Sequence, residues 1–504
     1  MDLGHLWDDT ADRHPHAIAL VDPHSRYTYE ALYAEIESLA LSLYSIGVGA
    51  GERVAVLLKN RKEAIVSFWA AQKIGAVFVP LNYHLSPSDV KSCIIDTEPK
   101  VLIYEKFPFL DMRSLTRSVT PILISENDSW ADISYHELIQ SHDPLIKCPP
   151  RKADDIAAIL YTSGTTGPPK GVSRTHYNVI AGALSHIVHN HYTYNERLMG
   201  SMPLYHTMGL HALVAITLLN GRYVISSEFN ADLALSQIVE EKVDALYMMP
   251  SMFHALLRTC QPGRDVSSVH KLTYAGATMN EELIHDCMEV FGGNLHVFAN
   301  HYGSTEIYTH SVYNILQGKP GCAGNLAEDH VRLVNAACPH DDLSPGKIGE
   351  IWINGTSPEA FPGYWRRSDL TRPVLQDGWY HTGDLGYQDN EGDFFVVGRI
   401  DDMIIVSGEH VMPEQVENVL SRHAKVLEVA VTGETDTRWG QIVVAYVVPA
   451  EPHLSAQELD SFCKNAPDLT IWARPRKYQF VSIIPRTPSG KVIRRELKNL
   501  EGTI

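Results

Sequence analysis

The stretch Tyr161-Thr162-Ser163-Gly164-Thr165-Thr166-Gly167-Pro168-Pro169-Lys170-Gly171 constrains this chain more than any other. It gathers small hydroxylated residues, glycines and one lysine directly behind an apolar run, Ile156 to Leu160. This is the composition of a phosphate loop. Glycines let backbone N–H groups turn toward an anion, Ser and Thr hydroxyls add donors, and the closing lysine supplies compensating charge. The apolar run predicts a buried strand that holds the loop still. A Walker loop needs Gly-Lys-Ser/Thr opening a helix; two prolines and Lys170-Gly171 stand here instead, which argues against a nucleoside-triphosphate switch. A flexible linker of similar composition seldom follows a buried strand.

At 504 residues the chain exceeds what one core holds and predicts at least two domains. Its net charge of −18 disfavours non-specific binding to nucleic acid or to an anionic membrane surface. Any anionic ligand must therefore meet local positive charge. The seven cysteines never form a Cys-x-x-Cys pair, which argues against a disulfide framework or a thiolate zinc site and for a reducing compartment. Asp2 stands near the start, where a signal peptide carries bases, and the longest apolar run is only Ala212 to Leu219. Both predict a cytoplasmic protein without a membrane span.

Up to about Glu105, short apolar runs alternate with amphipathic stretches. Helices are expected over Tyr29 to Ile46, Glu63 to Ile74 and Pro87 to Ile95, and strands over Val54 to Leu58, Val77 to Pro80 and Val101 to Tyr104. Such alternation implies parallel βαβ units and an α/β fold. Further strands are expected at Ala245 to Pro250, Leu272 to Ala277 and Leu295 to Ala299, the last running into His301-Tyr302-Gly303-Ser304-Thr305-Glu306. This turn and the phosphate loop, as two small-residue turns on neighbouring parallel strands, would open at the same carboxyl edge of one sheet, where α/β folds bind ligands. His176 to Ile187 predicts a helix, with His186, His189 and His191 at its solvated end, since metal ligation would need a fourth partner.

From Gly346 to Phe395, glycine, tryptophan, tyrosine and alternating apolar residues predict antiparallel strands. Gly398-Arg399-Ile400-Asp401-Asp402 is a charged break. It places a domain boundary, with a large N-terminal domain with parallel sheets over 1–398, the break itself at 399–401 and a small α+β domain over 402–504. That small domain opens with a strand, Met403 to Val406, and a helix started by Pro413-Glu414.

The phosphate-loop string resembles the signature of the adenylate-forming superfamily, which includes acyl- and aryl-CoA synthetases, luciferases and peptide-synthetase adenylation domains. Further blocks follow in that family's order: Met202-Pro203-Leu204-Tyr205-His206, Tyr274-Ala275-Gly276-Ala277-Thr278-Met279, Asp401-Asp402-Met403-Ile404-Ile405, Arg438-Trp439-Gly440-Gln441 and Arg474-Pro475-Arg476-Lys477-Tyr478. Together they resemble aryl-CoA ligases of the chlorobenzoate type over nearly the whole chain. The resemblance implies two half-reactions. A carboxylate attacks the α-phosphorus of magnesium ATP to give an acyl-adenylate and pyrophosphate; the thiol of coenzyme A then displaces AMP. It also implies that the small domain turns about Asp401 between them, as hinge residues absorb backbone rotation.

On that resemblance, Thr162, Ser163, Gly164, Thr165, Thr166, Gly167 and Lys170 wrap the β- and γ-phosphates, with Thr166 among the catalytic residues. Glu306, after Thr305, is the expected Mg²⁺ ligand, since this ion takes a carboxylate together with phosphate oxygens. Gly276, Ala277 and Tyr302 would contact adenine. Asp384 would accept from both ribose hydroxyls, with Arg399 nearby, and Lys491 would bridge the attacking carboxylate and the α-phosphate. For CoA, Gly408 lies on the pantetheine path, Trp439 and Trp472 offer stacking surfaces, and Arg474 and Arg476 offer charge for the 3′-phosphate; Trp472 equally fits a core position. Ser407-Gly408-Glu409-His410 and His84 depart from the family pattern in this half.

Amino-acid-activating relatives place an aspartate where His206 stands, because an ammonium group needs a counter-charge. His206 would close over the carboxylate or the thiol channel, or fill the pocket. The remaining lining maps onto Ser185, Thr207, Met208, Tyr247, Ala277, Ile307 and Tyr308, mostly apolar and without a cationic clamp. This suits an aromatic or medium apolar monocarboxylate over a dicarboxylate. A medium-chain fatty acid, or transfer to a carrier-protein thiol, is the alternative. The expected partners are a small carboxylic acid, ATP and CoA, not nucleic acid or membrane; a homodimer is compatible with the sequence.

Overall fold

The alternating runs fold as βαβ units. Thr28 caps the helix Tyr29–Ser45 through its hydroxyl, Ser86 caps Pro87–Thr97, and a reciprocal Thr175–Asn178 capping box opens His176–His189. The helix Lys62–Ile74 is buried from Ala64 onward, with Phe68 and Trp69 packed against Trp7 and Phe78. The computed structural model describes residues 2–108, 119–124, 133–140, 151–162, 169–308, 311–325, 330–335, 338–467, 469–487 and 491–500. Two units emerge: Met1–Gly321 with Gly355–Gly378, and Cys322–Asn354 with Trp379–Ile504.

The first unit holds two largely parallel sheets. One runs in the order Ser311–Asn314, Val297–Tyr302, Lys271–Ala275, Ala245–Met248, Arg197–Met199, Arg222–Val224, Ile18–Val21, Arg26–Thr28, with antiparallel pairing only at its two edges. The other runs Ile133–Ser134, Thr120–Leu123, Val101–Tyr104, Arg53–Leu57, Val77–Pro80, Ile156–Thr162, Lys170–Thr175, and only its last pair is antiparallel. The turns after Lys271–Ala275 and Val297–Tyr302 leave neighbouring parallel strands. The strand before the phosphate loop does not join them; it lies in the other sheet. The expected strand at Ala245 stops at Met248, because Pro250 starts the helix Pro250–Thr259, where a missing N–H costs nothing.

In the second unit, the antiparallel order is Cys322–Asn325, Asp393–Arg399, Trp379–Gln388, Gly349–Asn354, Val331–Asn335, Cys338–Asp342. A further sheet runs Glu409–Val411, Ile404–Val406, Gly440–Pro449, Val426–Asp436, with Lys477–Phe480 parallel to Gly440–Pro449. The helix Pro413–Leu420 packs Val416 and Leu420 onto Val431 and Val443. Among the described residues no helix is long and apolar enough to cross a membrane, and Cys93, Cys260, Cys287, Cys322 and Cys463 form no disulfide.

Candidate active site

The strands flanking the phosphate loop pair in the register Tyr161↔Gly171 and Thr162↔Lys170, so Thr162 and Lys170 face each other where the loop begins and ends. Ser163, Gly164, Thr165, Thr166 and Gly167 lie outside the described residues. Four residues beyond Lys170, Arg174 is fully buried, and its Nη1 donates to the carbonyls of Glu306 at 2.9 Å and Thr305 at 3.4 Å. Glu306 is itself buried, and its Oε1 accepts from the Tyr364 hydroxyl at 2.7 Å.

The segment 359–365 laces these parts together. Ser173 N–H donates to Gly363 O, Trp365 N–H to Gly171 O, and Phe361 N–H to Glu306 O, at 3.2, 2.7 and 2.9 Å. The Lys170 ammonium lies 5.6 Å from the Tyr364 ring centroid. Two turns from different sheets thus share one rigid frame. Burial pulls the Arg174 guanidinium down to about 10, opposed by the charges of Glu359 and Glu306. Arg174, Glu359 and Tyr364 were not singled out as site residues from sequence. Arg174 stands in the strand Lys170–Thr175 among polar and small residues, and nothing in that string marks it as buried.

Gly276 and Ala277 are exposed in the turn after Lys271–Ala275, and Gly276 has φ 86°, a conformation that favours glycine. The register Ala275↔His301 sets this turn beside Tyr302, the half-buried end of the next strand; Thr305 is also half-buried. His206 precedes the helix Thr207–Leu218 and lays its ring against Tyr205, while Ser185, Thr207 and Met208 are half-buried and Ile307 is fully buried.

Tyr247 and Tyr308 do come together: their hydroxyl oxygens lie 3.1 Å apart. Around them the lining is not apolar. His186 Nδ1 lies 3.0 Å from Tyr308 Oη, the His211 ring stacks on Tyr308 at 4.1 Å, and His301 is 5.5 Å from His186. His186 is therefore not at a solvated helix end; one turn of helix places it inward, and only His189 and His191 are exposed. Gly182 makes room for His211, whose Cδ2 would be 2.5 Å from an added Cβ.

Burial holds the His186 and His211 imidazoles down to about 3. An unfolded histidine titrates near 6.5, so between that value and 3 the unfolded chain binds protons that the native state refuses. The stabilisation from these two residues is whole above pH 6.5 and drains as pH falls, by ~1.4 kcal/mol per pH unit for each. Urea unfolding at pH 7.0 and 5.5 is expected to show this loss, and His186→Phe to reduce its slope.

In the second unit, Arg399 Nη1 lies 3.2 Å from Asp384 Oδ1 across the antiparallel register Asp384↔Arg399. The expected neighbourhood of these two is present. Asp401 sits in a short 3₁₀ turn, Ile400–Asp402, and Gly408 (φ 90°) in the hairpin after Ile404–Val406. Trp439 and Trp472 meet edge to face at 5.8 Å, both partly packed on the core, with the Arg438 guanidinium 4.7 Å from the Trp439 centroid. Trp472 thus serves the core while keeping a face outside it. Arg474 pairs with Asp460 at 3.4 Å, and Arg476 and Lys491 are exposed.

The sequence profile of AMP-binding enzymes matches residues 7–365, and that of the AMP-binding enzyme C-terminal domain matches 415–491. The chain belongs to the AMP-binding enzyme family. Within that family it is 30% identical to the indoleacetate–CoA ligase of Aromatoleum aromaticum, over 99% of this chain and 98% of the relative. It is 32% identical to a 4-chlorobenzoate–CoA ligase of an Arthrobacter species, over 98% and 94%. Its fold superposes with a TM-score of 0.88 on the o-succinylbenzoate CoA synthetase of Bacillus subtilis solved with its acyl-adenylate, at 28% identity over 99% of both chains. This AMP-binding enzyme matches those relatives along their length, not in one module.

Proposed function

We propose that this AMP-binding enzyme is an ATP-dependent carboxylate–CoA ligase acting on an aromatic monocarboxylic acid, benzoate-like or arylalkanoate, by adenylation and then thioesterification. The observation that carries the reading is the frame in which Arg174 and Tyr364 fix Glu306 against the strand leaving the phosphate loop. Carboxylate attack on a polyanion needs alignment and charge neutralisation more than a base. That frame is suited to both.

Glu306 fits a cation: it is a buried carboxylate held by the Tyr364 hydroxyl at Oε1, and it would hold Mg²⁺ at the triphosphate. A bound Mg²⁺ there would supply charge neutralisation on the triphosphate. Thr162 and Lys170 hold the loop ends at the β- and γ-phosphates, Gly276, Ala277 and Tyr302 border the adenine, and Asp384 takes the ribose hydroxyls with Arg399 fixing its orientation. Lys491 reaches the α-phosphate when residues 402–504 turn about a hinge at 399–401 against residues 1–398. The opposite orientation brings Gly408, Trp439, Trp472, Arg474 and Arg476 to CoA. Scattered cysteines, none in a Cys-x-x-Cys pair, support a cytoplasmic setting.

Pyrophosphate release across benzoates, arylacetates, cinnamates, fatty acids and amino acids, with and without CoA, tests the reading. Repeated turnover with aryl acids that requires CoA is expected. Release with fatty acids alone would favour the fatty acyl alternative, and acyl transfer only to a carrier protein would exclude free CoA. Asp384→Asn is expected to raise the KM for ATP roughly 10–100-fold, the scale of one charge-assisted hydrogen bond, with the KM for the acid unchanged.

A further inference from the structure

Buried polar atoms in native proteins are almost always hydrogen-bonded, and each orphan costs ~1–3 kcal/mol. In the first unit, His186 Nε2, His211 Nε2, His301 Nε2 and the Tyr192 hydroxyl are buried with no partner among the described residues. All four belong to the cluster around Tyr308 and Tyr247. Such a concentration marks a place built for a polar guest.

Neighbouring atoms fix what each ring offers. His211 Nδ1 lies 2.8 Å from the Thr207 carbonyl, which only accepts, so Nδ1 carries the proton and Nε2 is a bare acceptor. Asn190 Nδ2 donates to the His186 carbonyl at 2.7 Å, which identifies it as the amide nitrogen, and it also lies 3.1 Å from His186 Nδ1. Nδ1 of His186 is therefore the acceptor and Nε2–H a free donor. Both rings flank Tyr308, one on its face and one at its hydroxyl.

We infer that the acid is a hydroxylated aryl carboxylate whose neutral hydroxyl accepts from His186 Nε2–H and donates to His211 Nε2. This inference rests on the aryl-CoA ligase reading and narrows it. A methoxy or halogen substituent answers only the donor, and an N–H only the acceptor. A second carboxylate is disfavoured, because Arg174, the cation beside His211, already carries the charges of Glu306 and Glu359.

Pyrophosphate release with matched benzoates, arylacetates and cinnamates bearing hydrogen, hydroxyl, methoxy, chloro or carboxyl groups decides it. A hydroxyl is expected to raise kcat/KM at least tenfold over hydrogen on the preferred scaffold, since a site that hydrogen-bonds a hydroxyl rejects analogues lacking it. In His186→Phe that ratio should fall to within about threefold, and in His186→Gln, whose amide nitrogen replaces Nε2–H, it should recover. Equal or better turnover of the unsubstituted, methoxy, chloro or carboxyl acid overturns the inference and leaves the ligase reading intact. So does a hydroxyl preference unchanged in His186→Phe. No release with any acid overturns both.

Discussion

Replacing Lys491 with alanine is expected to lower acid-dependent pyrophosphate release by about 10²–10³-fold, the scale of losing one preorganised charge at a transition state, with no change in thermal unfolding. Lys491 is exposed. Its backbone, not its side chain, closes the local loop: Lys491 N–H donates to Thr487 Oγ1 at 3.1 Å, Thr487 N–H to Lys491 O at 2.6 Å, and Arg486 bridges Val492. Truncation therefore leaves the fold its own contacts. The second half-reaction separates role from structure. Supplied with preformed acyl-adenylate and CoA, Lys491→Ala should make thioester within a few-fold of the wild type, because that step needs no charge at a pentavalent phosphorus. Equal losses in both half-reactions would mean that Lys491 does not act in adenylation alone, and would remove the reason for the domain to turn.

Much of this was legible because local chemistry and position coincide. Ile156 to Leu160 is apolar because its strand is buried between two neighbours in the sheet, and the hydroxyl and glycine content beyond it is that of an anion loop. Pro87 and Pro413 mark helix starts because only there is a missing N–H free of cost. Asp384 and Arg399 were expected as neighbours from the family resemblance, and the strand register supplies the physical cause. What stayed hidden was set by tertiary contact. His186, His189 and His191 read alike in sequence, yet helical rotation buries the first and exposes the others. His211 stands directly before the apolar run Ala212 to Leu219, where no periodicity distinguishes a packed ring from a binding one. The assignment of the two loops to one sheet failed because sheet membership is a long-range property: strands 156–162 and 297–302 each have the right local pattern, and neither says which partner it takes.

Arg174→Met is expected to cost the first unit about 3–5 kcal/mol, because it strands Glu359 and Glu306 in a buried site that their shared cation now neutralises. Methionine fills a similar volume, so the loss measures charge and hydrogen bonding more than a cavity. Tryptophan fluorescence during urea unfolding reports the transition through the buried Trp7 and Trp69. Adding Glu359→Gln to Arg174→Met should return part of the loss, since a neutral amide no longer needs the guanidinium; strict additivity of the two changes would mean that they do not interact. Function should follow by a separate route. Arg174 Nη1 holds the carbonyls of Thr305 and Glu306, so its removal frees the turn that carries the carboxylate, and the Mg²⁺ concentration needed for half-maximal pyrophosphate release should rise at temperatures where the variant remains folded. Arg174→Lys keeps the charge but has one point donor where the planar fork had several, and should restore stability more fully than it restores the metal requirement. Recovery of both together would make Arg174 a structural counter-ion alone; recovery of stability without the metal requirement would make it the residue that sets where Glu306 stands.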